Sequence, residues 1–181
     1  MENKQYLILV DDLDRELGKM EKLEVHRTGS LHRAFSIFIF NSKGELLLQQ
    51  RADEKYHSRG LWSNTCCSHP HFGETLTDAL ERRLTEEMGL MTKTIFAFSF
   101  IYKASLENEL IENEFDHVYI GVSNQEPNPN SREVKNWKYM HPNLIRQDLL
   151  KNPKAYTVWF KLCFERVIQY HHSSHGITHG I

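Results

Sequence analysis

Cysteine is scarce in this 181-residue chain, and the few cysteines present are badly placed for disulfides. There are three, an odd number, and Cys66 and Cys67 are adjacent. A small secreted protein that depends on disulfides usually has an even set of separated cysteines. The cysteine content therefore argues against a disulfide scaffold, and we expect a reducing, cytoplasmic location.

Long apolar runs are also missing. The longest are Tyr6–Val10 and Ile37–Phe40, far below the roughly 20 residues that a membrane helix needs. The first four residues lead into an apolar run that is too short for a signal peptide. We therefore expect neither a membrane span nor a secretion signal.

Neither sign of charge dominates the chain. Lys and Arg number 22 against 24 Asp and Glu, which gives a net charge of −2. No excess of positive charge points to a nucleic-acid partner or a membrane surface. With 40% apolar residues, few prolines and no linker or repeat, residues 1–181 are expected to form one domain, and we expect a monomer.

Histidine is the residue type in surplus, at eleven. Four of them lie within residues 171–181, where Gly and Ser interrupt the sequence. We expect a frayed, flexible tail there, able to bind metals adventitiously.

Hydrophobic periodicity predicts strands, a helix, more strands and then closing helices. The helix spans about residues 75–88, with Thr75 as its cap and Gly89 just beyond its end. This order is typical of an α/β or α+β fold in which a mixed sheet lies between helices. The predicted strands are Tyr6–Val10, Phe35–Phe40, Leu46–Leu48, Leu61–Cys67, Thr94–Ala104, Leu110–Asn124 and Val134–His141, and the predicted closing helices are Leu144–Leu150 and Ala155–Tyr170.

Two short patterns place reactive side chains on one face of a strand. Cys67 and His69 are two residues apart, as are Glu112 and Glu114, and strand side chains repeat every two residues. The first pair suits a metal or an activated thiol, and a cation would relieve the repulsion in the second. Taken alone, each pair also fits a small buried thiol beside a surface histidine, or two solvated glutamates.

Two further histidines, His26 and His32, flank a turn-like segment and could point to one place. Three imidazoles and two carboxylates would suit an octahedral divalent ion with one position left. Taken separately, each is more often a surface histidine, and periodicity does not show that the five converge.

Charged residues also gather on the predicted helix and on the polar loop before it. Glu87 belongs to a carboxylate row that could bind Mg²⁺ on a phosphate ligand. The loop residues Arg51, Lys55, His57 and Arg59 could bind phosphate. Solvated charge is the simpler reading of either feature.

Residues 68–90 resemble the Nudix box, G-x5-E-x7-R-E-U-x-E-E-x-G-U. Ser68 replaces the leading glycine, and Arg83 replaces the first carboxylate of the R-E-x-x-E-E core. In Nudix hydrolases that carboxylate serves the hydrolytic metal, so its replacement by a cation argues against hydrolysis.

Residues 20–160 resemble more specifically the type I isopentenyl-diphosphate isomerases, a branch of the Nudix fold. The spacing from His26 to His32 is one residue shorter than in the bacterial members, a difference that a loop deletion would absorb. The motifs that carry the resemblance are Lys22…His26, Leu31-His32-x-Ala34-Phe35-Ser36, Arg51-x3-Lys55, Trp62-x-Asn64-x2-Cys67-x-His69-Pro70, Tyr102 and Glu112-Asn113-Glu114.

The resemblance implies conversion of isopentenyl diphosphate to dimethylallyl diphosphate in isoprenoid biosynthesis. It implies that Cys67 and Glu114 transfer protons on opposite faces of the alkene, either one serving as the acid, with Tyr102 assisting Glu114. It implies that Trp159 faces the developing carbocation. It implies that one tightly bound Mn²⁺, Mg²⁺ or Zn²⁺ has five ligands, which are His26, His32, His69, Glu112 and Glu114. It implies that Glu87 holds Mg²⁺ carried by the diphosphate. The residues implied to neutralise the phosphates are Lys22, Arg51, Lys55 and Arg83.

Two alternatives remain at this point. One is a Nudix hydrolase of a nucleoside or isoprenoid diphosphate, which Arg83 argues against. The other is a non-catalytic metal- or phosphate-binding module, which would have no need for Cys67, Tyr102 and Glu114 together.

The pairing of Tyr102 depends on one residue of loop length. A two-residue turn at Glu107-Asn108 pairs Tyr102 with Asn113, whereas a loop one residue longer would pair it with Glu112. A one-residue slip moves every side chain of a strand to the other face. The resemblance favours Glu112, on the metal side.

Overall fold

The computed structural model describes residues 4–176. Within them, nine strands form one mixed sheet with four α-helices around it. The strands are β1 Tyr6–Val10, β2 Glu16–Glu21, β3 His32–Phe40, β4 Leu46–Arg51, β5 Trp62–Ser63, β6 Cys66–Ser68, β7 Thr94–Ser105, β8 Ile111–Val122 and β9 Val134–Met140. The helices are α1 Lys22–Thr28, α2 Leu76–Met88, α3 Pro142–Lys151 and α4 Val158–Gly176. No helix in this described part is long and apolar enough to cross a membrane.

Strand β3 is the centre of the sheet. It runs parallel to β8 along its whole length, from His32 opposite Glu114 to Phe40 opposite Val122. β8 pairs in turn with β7, and β4 pairs with β9, both antiparallel. The parallel pair fixes which residues of β3 and β8 meet at the same end of the sheet.

The hairpin formed by β3 and β4 opens directly after its turn. The two strands are paired only at Phe40 and Leu46. Beyond that point β6 pairs with β3, and β5 pairs with β4. The segment between β4 and α2 therefore fills the gap and carries its side chains into the middle of the sheet.

The two faces of β3 serve two apolar cores, as the two-residue period of a strand requires. Phe35, Ile37 and Ile39 pack with the buried face of α2. Phe38 and Phe40 pack with the buried face of α4. The sheet thus lies between helices, which confirms the predicted fold class.

Helix α2 begins and ends where its sequence predicts. Thr75 accepts a hydrogen bond from the Asp78 backbone at 3.2 Å, and Gly89 has a left-handed conformation with φ of 64°. A side chain at Gly89 would also meet the Asn128 carbonyl at 2.5 Å. Glycine is required here because the backbone is left-handed and because a side chain would clash with that carbonyl.

Other boundaries differ from the prediction. β2 and α1 were not predicted, and α1 includes Arg27 and Thr28 of the turn-like segment expected between His26 and His32. A frayed tail was expected from about residue 171, but α4 continues through Gly176 and His171 stacks on Phe40 with ring centroids 3.8 Å apart. Residues 177–181 lie outside the described residues.

Candidate active site

Five buried side chains converge at the end of the sheet where β3 begins. Each offers one nitrogen or oxygen atom, and all five atoms lie within 4.8 Å of one another. We call this group the metal cluster; its members are His26, His32, His69, Glu112 and Glu114.

Four separate segments bring the metal cluster together. His26 lies on α1, and His69 directly follows β6. His32 opens β3 opposite Glu114 of β8, because the two strands run parallel in that register. Glu112 precedes Glu114 by two residues and so shares its face.

The histidine nitrogens are oriented for metal binding. His26 Nδ1 donates to the Lys22 carbonyl at 2.6 Å, and His32 Nδ1 donates to the Ser30 carbonyl at 2.9 Å. A carbonyl can only accept, so Nδ1 carries the hydrogen in each ring, and in the Nδ1–H tautomer the lone pair lies on Nε2, which points inward. Metal-binding histidines are commonly held by such a hydrogen bond from the other nitrogen.

Buried polar atoms of the metal cluster crowd together, and a carboxylate oxygen among them lacks a hydrogen bond within the described part of the chain; a cation would relieve both conditions. Nε2 of His32 and Nε2 of His69 lie 3.2 Å apart. Within the described residues, Glu112 Oε2 is buried and makes no hydrogen bond. Crowded ring nitrogens and a carboxylate oxygen without a hydrogen bond are costly when buried, so these residues fit a divalent ion with nitrogen and oxygen ligands.

Burial sets the protonation of the metal cluster. It raises the pKa of Glu112, and the neighbouring charge of Glu114 adds to the effect. Burial also opposes the charge on Glu114, but the imidazoles of His32 and His69 outweigh it and hold its pKa below the usual range. Burial lowers the pKa of His69 to about 3, so this ring is neutral.

Tyr102 contacts the metal cluster from β7. Its hydroxyl donates to Glu114 Oε2 at 2.6 Å, while His69 Nε2 lies 2.9 Å from Oε1 of the same carboxylate. In the sheet Tyr102 pairs with Glu114, so the expected pairing with Glu112 was wrong. The loop between β7 and β8 has its extra residue at the C-terminal end, at Glu109, whereas the expected pairing needed it at the N-terminal end. Tyr102 therefore still lies on the predicted face.

Cys67 and Cys66 lie on different faces of the sheet. Cys67 lines the cavity beside the metal cluster, whereas Cys66 packs in the core under α2. A thiol that acts as a base would need a nearby cation to lower its pKa. At Cys67 burial dominates instead and raises the pKa to about 12, although Arg51 acts in the opposite direction.

Four cationic side chains line the same cavity; they are Lys22, Arg51, Lys55 and Arg83. Burial lowers the pKa of Lys22 to about 8, and the charges of Lys55 and Arg83 contribute. The Arg51 guanidinium lies 5.4 Å from the centre of the Trp159 ring. Mutually repelling cations in one partly closed space are suited to a multiply charged anion.

Glu87 lies beside this cationic group and outside the metal cluster. It pairs with Arg83 on α2, and Gln49 donates to it at 3.0 Å. Trp159 borders the cavity from α4, with its indole nitrogen donating to Ser63 at 2.9 Å.

Two neighbours of the site, Glu133 and Tyr56, were not identified from the sequence, and a third, His57, was named only as part of the basic loop. Glu133 forms ion pairs with Lys55 and Arg83. The Tyr56 hydroxyl lies 3.3 Å from His26 Nε2, and His57 Nε2 lies 3.3 Å from Glu112 Oε1. Only the basic character of residues 51–59 gave a signal, and it did not separate His57 from the exposed Arg59.

Comparisons with known proteins agree with this arrangement. Residues 30–160 match the model of the NUDIX domain. The isopentenyl-diphosphate Delta-isomerase 1 of Aromatoleum aromaticum is 52% identical over 162 residues, which cover 90% of this chain and 92% of that one. The isopentenyl-diphosphate Delta-isomerase of Pectobacterium atrosepticum is 49% identical, with 91% and 92% covered.

Solved structures share the fold at low sequence identity. The crystal structure of DR0079 from Deinococcus radiodurans gives a TM-score of 0.73 at 18% identity, covering 89% of this chain and 98% of that one. The MutT protein from Methanosarcina mazei gives 0.64 at 18% identity, covering 78% and 95%.

Proposed function

The chain belongs to the NUDIX family and, within it, to the isopentenyl-diphosphate Delta-isomerases, and we propose that it converts isopentenyl diphosphate into dimethylallyl diphosphate with Cys67 and Glu114 as proton-transferring groups. One observation carries the assignment of residues. Cys67, Tyr102 and Glu114 line the same cavity as four cations. One part of the cavity can thus hold a diphosphate while the other contacts a short hydrocarbon.

The reaction moves a double bond by gain and loss of one proton. One group protonates the terminal methylene carbon, which leaves a tertiary carbocation. The other removes a proton from the carbon next to it, and the new double bond forms there. Cys67 and Glu114 supply the two groups, and they exchange roles in the reverse direction.

Trp159 is the group proposed to face the carbocation. Its indole borders the cavity and is held by the hydrogen bond to Ser63. An aromatic face attracts a desolvated cation by up to about 2 kcal/mol. The burial of this residue excludes water, which would otherwise capture the carbocation.

Tyr102 and the cations position the reacting groups. The Tyr102 hydroxyl fixes one oxygen of Glu114, which orients that carboxyl toward the substrate. Lys22, Arg51, Lys55 and Arg83 would bind the diphosphate, and that binding energy orients the distant alkene.

The metal cluster would hold one divalent ion, which when bound would neutralise the buried carboxylates and fix Glu114. Five nitrogen and oxygen ligands with one position left suit Mn²⁺, Mg²⁺ or Zn²⁺. Glu87, next to Arg83, is placed to hold Mg²⁺ that accompanies the diphosphate.

We propose a cytoplasmic monomer whose partner is the small-molecule diphosphate. Its three cysteines are free, and every group of the proposed site comes from one chain.

Isotope incorporation tests the reaction. Incubation with isopentenyl diphosphate and Mg²⁺ in D₂O should yield dimethylallyl diphosphate containing deuterium, followed by proton NMR. Neither phosphate nor pyrophosphate should accumulate at a comparable rate in a colorimetric assay with added pyrophosphatase. Release of phosphate without movement of the alkene would establish the hydrolase instead. If the alkene does not move and no phosphate is released, while metal is bound and the fold is intact, the protein is a binding module.

A further inference from the structure

His57 is buried beside the metal cluster, and the proposed mechanism gives it no task. Only 4% of its surface is exposed, and it lines the cavity between the cations and the carboxylates. It lies outside the five-residue metal cluster. Its imidazole contacts Glu112, with Nε2 at 3.3 Å from Oε1.

The two oxygens of Glu112 have different surroundings. Oε1 faces His57, whereas Oε2 lies 3.4 Å from His26 Nε2 and makes no hydrogen bond within the described residues. Oε2 is therefore the oxygen left for a metal. A group that holds Oε1 would determine where Oε2 points.

The contact made by the second nitrogen of His57 is compatible with a proton on Nε2. His57 Nδ1 lies 3.2 Å from the Ser58 hydroxyl. If that hydroxyl donates to Nδ1, the proton of the neutral ring is on Nε2, facing Glu112. The same residue is connected to the cationic group, because Arg51 donates to the His57 carbonyl at 3.2 Å.

We propose that His57 is a positioning residue for the metal centre: its Nε2–H donates to Glu112 Oε1 and so directs Oε2 to the ion. It also connects the segment carrying Arg51 to the carboxylate. This inference rests on the proposed metal centre and not on the proposed reaction, so metal binding without substrate tests it separately.

The test compares two substitutions of His57 by Mn²⁺ affinity. His57→Leu removes the donor and keeps an apolar side chain, whereas His57→Gln retains an amide donor. Removing such an outer hydrogen bond commonly weakens metal binding by about 10–100-fold. We expect that loss in His57→Leu and recovery to within a few-fold of the parent in His57→Gln, measured by competition with a chelator.

The controls separate positioning from folding and from adventitious binding. Every protein carries alanine in place of His172, His175 and His179, which removes that source of extra Mn²⁺ sites. Glu54→Gln, an exposed change in the same loop, should leave the affinity unchanged. Thermal unfolding of the metal-free proteins checks that each variant folds.

Two outcomes would overturn the proposal. One is an unchanged Mn²⁺ affinity in a folded His57→Leu protein. The other is an equal loss in the Leu and Gln variants, which would show that the hydrogen bond is not what matters.

Discussion

Cys66 and Cys67 are adjacent in a strand, yet one contributes to packing and the other to the proposed chemistry. Cys66 is buried in the apolar core under α2, and Cys67 reaches the cavity. The i, i+2 relation to His69 was enough to distinguish them from the sequence. The same logic separates Glu112 and Glu114 from Asn113.

The two cysteines should respond in opposite ways to the same substitution. Cys67→Ala removes a proton-transferring group, so the turnover number should fall by about 10²–10⁴-fold. Cys66→Ala should keep most of the turnover and lose about 1 kcal/mol of unfolding free energy, because only packing is lost. NMR assays and urea unfolding measure the two effects. Near-parental turnover in the Cys67 variant would refute its role.

Tyr102 should contribute through its hydroxyl alone. Tyr102→Phe keeps the ring and removes the 2.6 Å hydrogen bond to Glu114. A hydrogen bond to a charged group is worth about 1.5–3 kcal/mol, so turnover should fall by about 10–100-fold. Tyr156→Phe is the matched control, since it removes a 2.6 Å hydrogen bond to Asp148 outside the cavity. Equal turnover in both variants would contradict the assignment.

At the scale of elements, α2 and the loops show what local sequence can and cannot determine. α2 was predicted because its apolar period, Thr75 and Gly89 all agree. α1 was missed because it is only seven residues long, and β2 because its residues do not alternate between apolar and polar. The Tyr102 pairing depended on whether the loop ended at Asn108 or Glu109, which periodicity does not encode.

Gly89 gives the prediction at this scale. Gly44 has a φ of 72°, and an added Cβ there would have no atom within 4 Å. Gly44→Ala should therefore lower the free energy of unfolding by about 1–2 kcal/mol through backbone conformation alone. Gly89→Ala carries the same conformational cost and a clash with the Asn128 carbonyl, so it should lose more. Urea unfolding of the two variants measures the difference. Equal losses would mean that the segment containing Asn128 moves away at no cost.

At the scale of the molecule, the site depends on contacts between residues far apart in the chain. Lys55 and Glu133 are separated by 78 positions, and His69 and Glu114 by 45. The resemblance assigned the residues of the metal cluster, but no sequence pattern predicted that Glu133 would pair with Lys55 and Arg83 or that His57 would contact Glu112. Their placement follows from the open hairpin and the parallel pair of strands.

Metal removal should be visible in the stability of the whole molecule. A ligand at 100 times its dissociation constant stabilises by about 2.7 kcal/mol, or about 5–10 °C in Tm for a chain of this size. A chelator should therefore lower Tm by that amount, measured by calorimetry. In His26→Ala the decrease should be much smaller. A full decrease in that variant would show that His26 is not a ligand.

The shortness of α1 has a consequence for how the molecule fluctuates. Seven residues make fewer than two turns, and helices of that length do not persist in water on their own. His26 connects α1 to strands that are distant in the chain, so a bound ion would hold α1 against those strands. Deuterium uptake by the α1 amides should thus follow metal occupancy, whereas the 13-residue α2 should stay protected throughout.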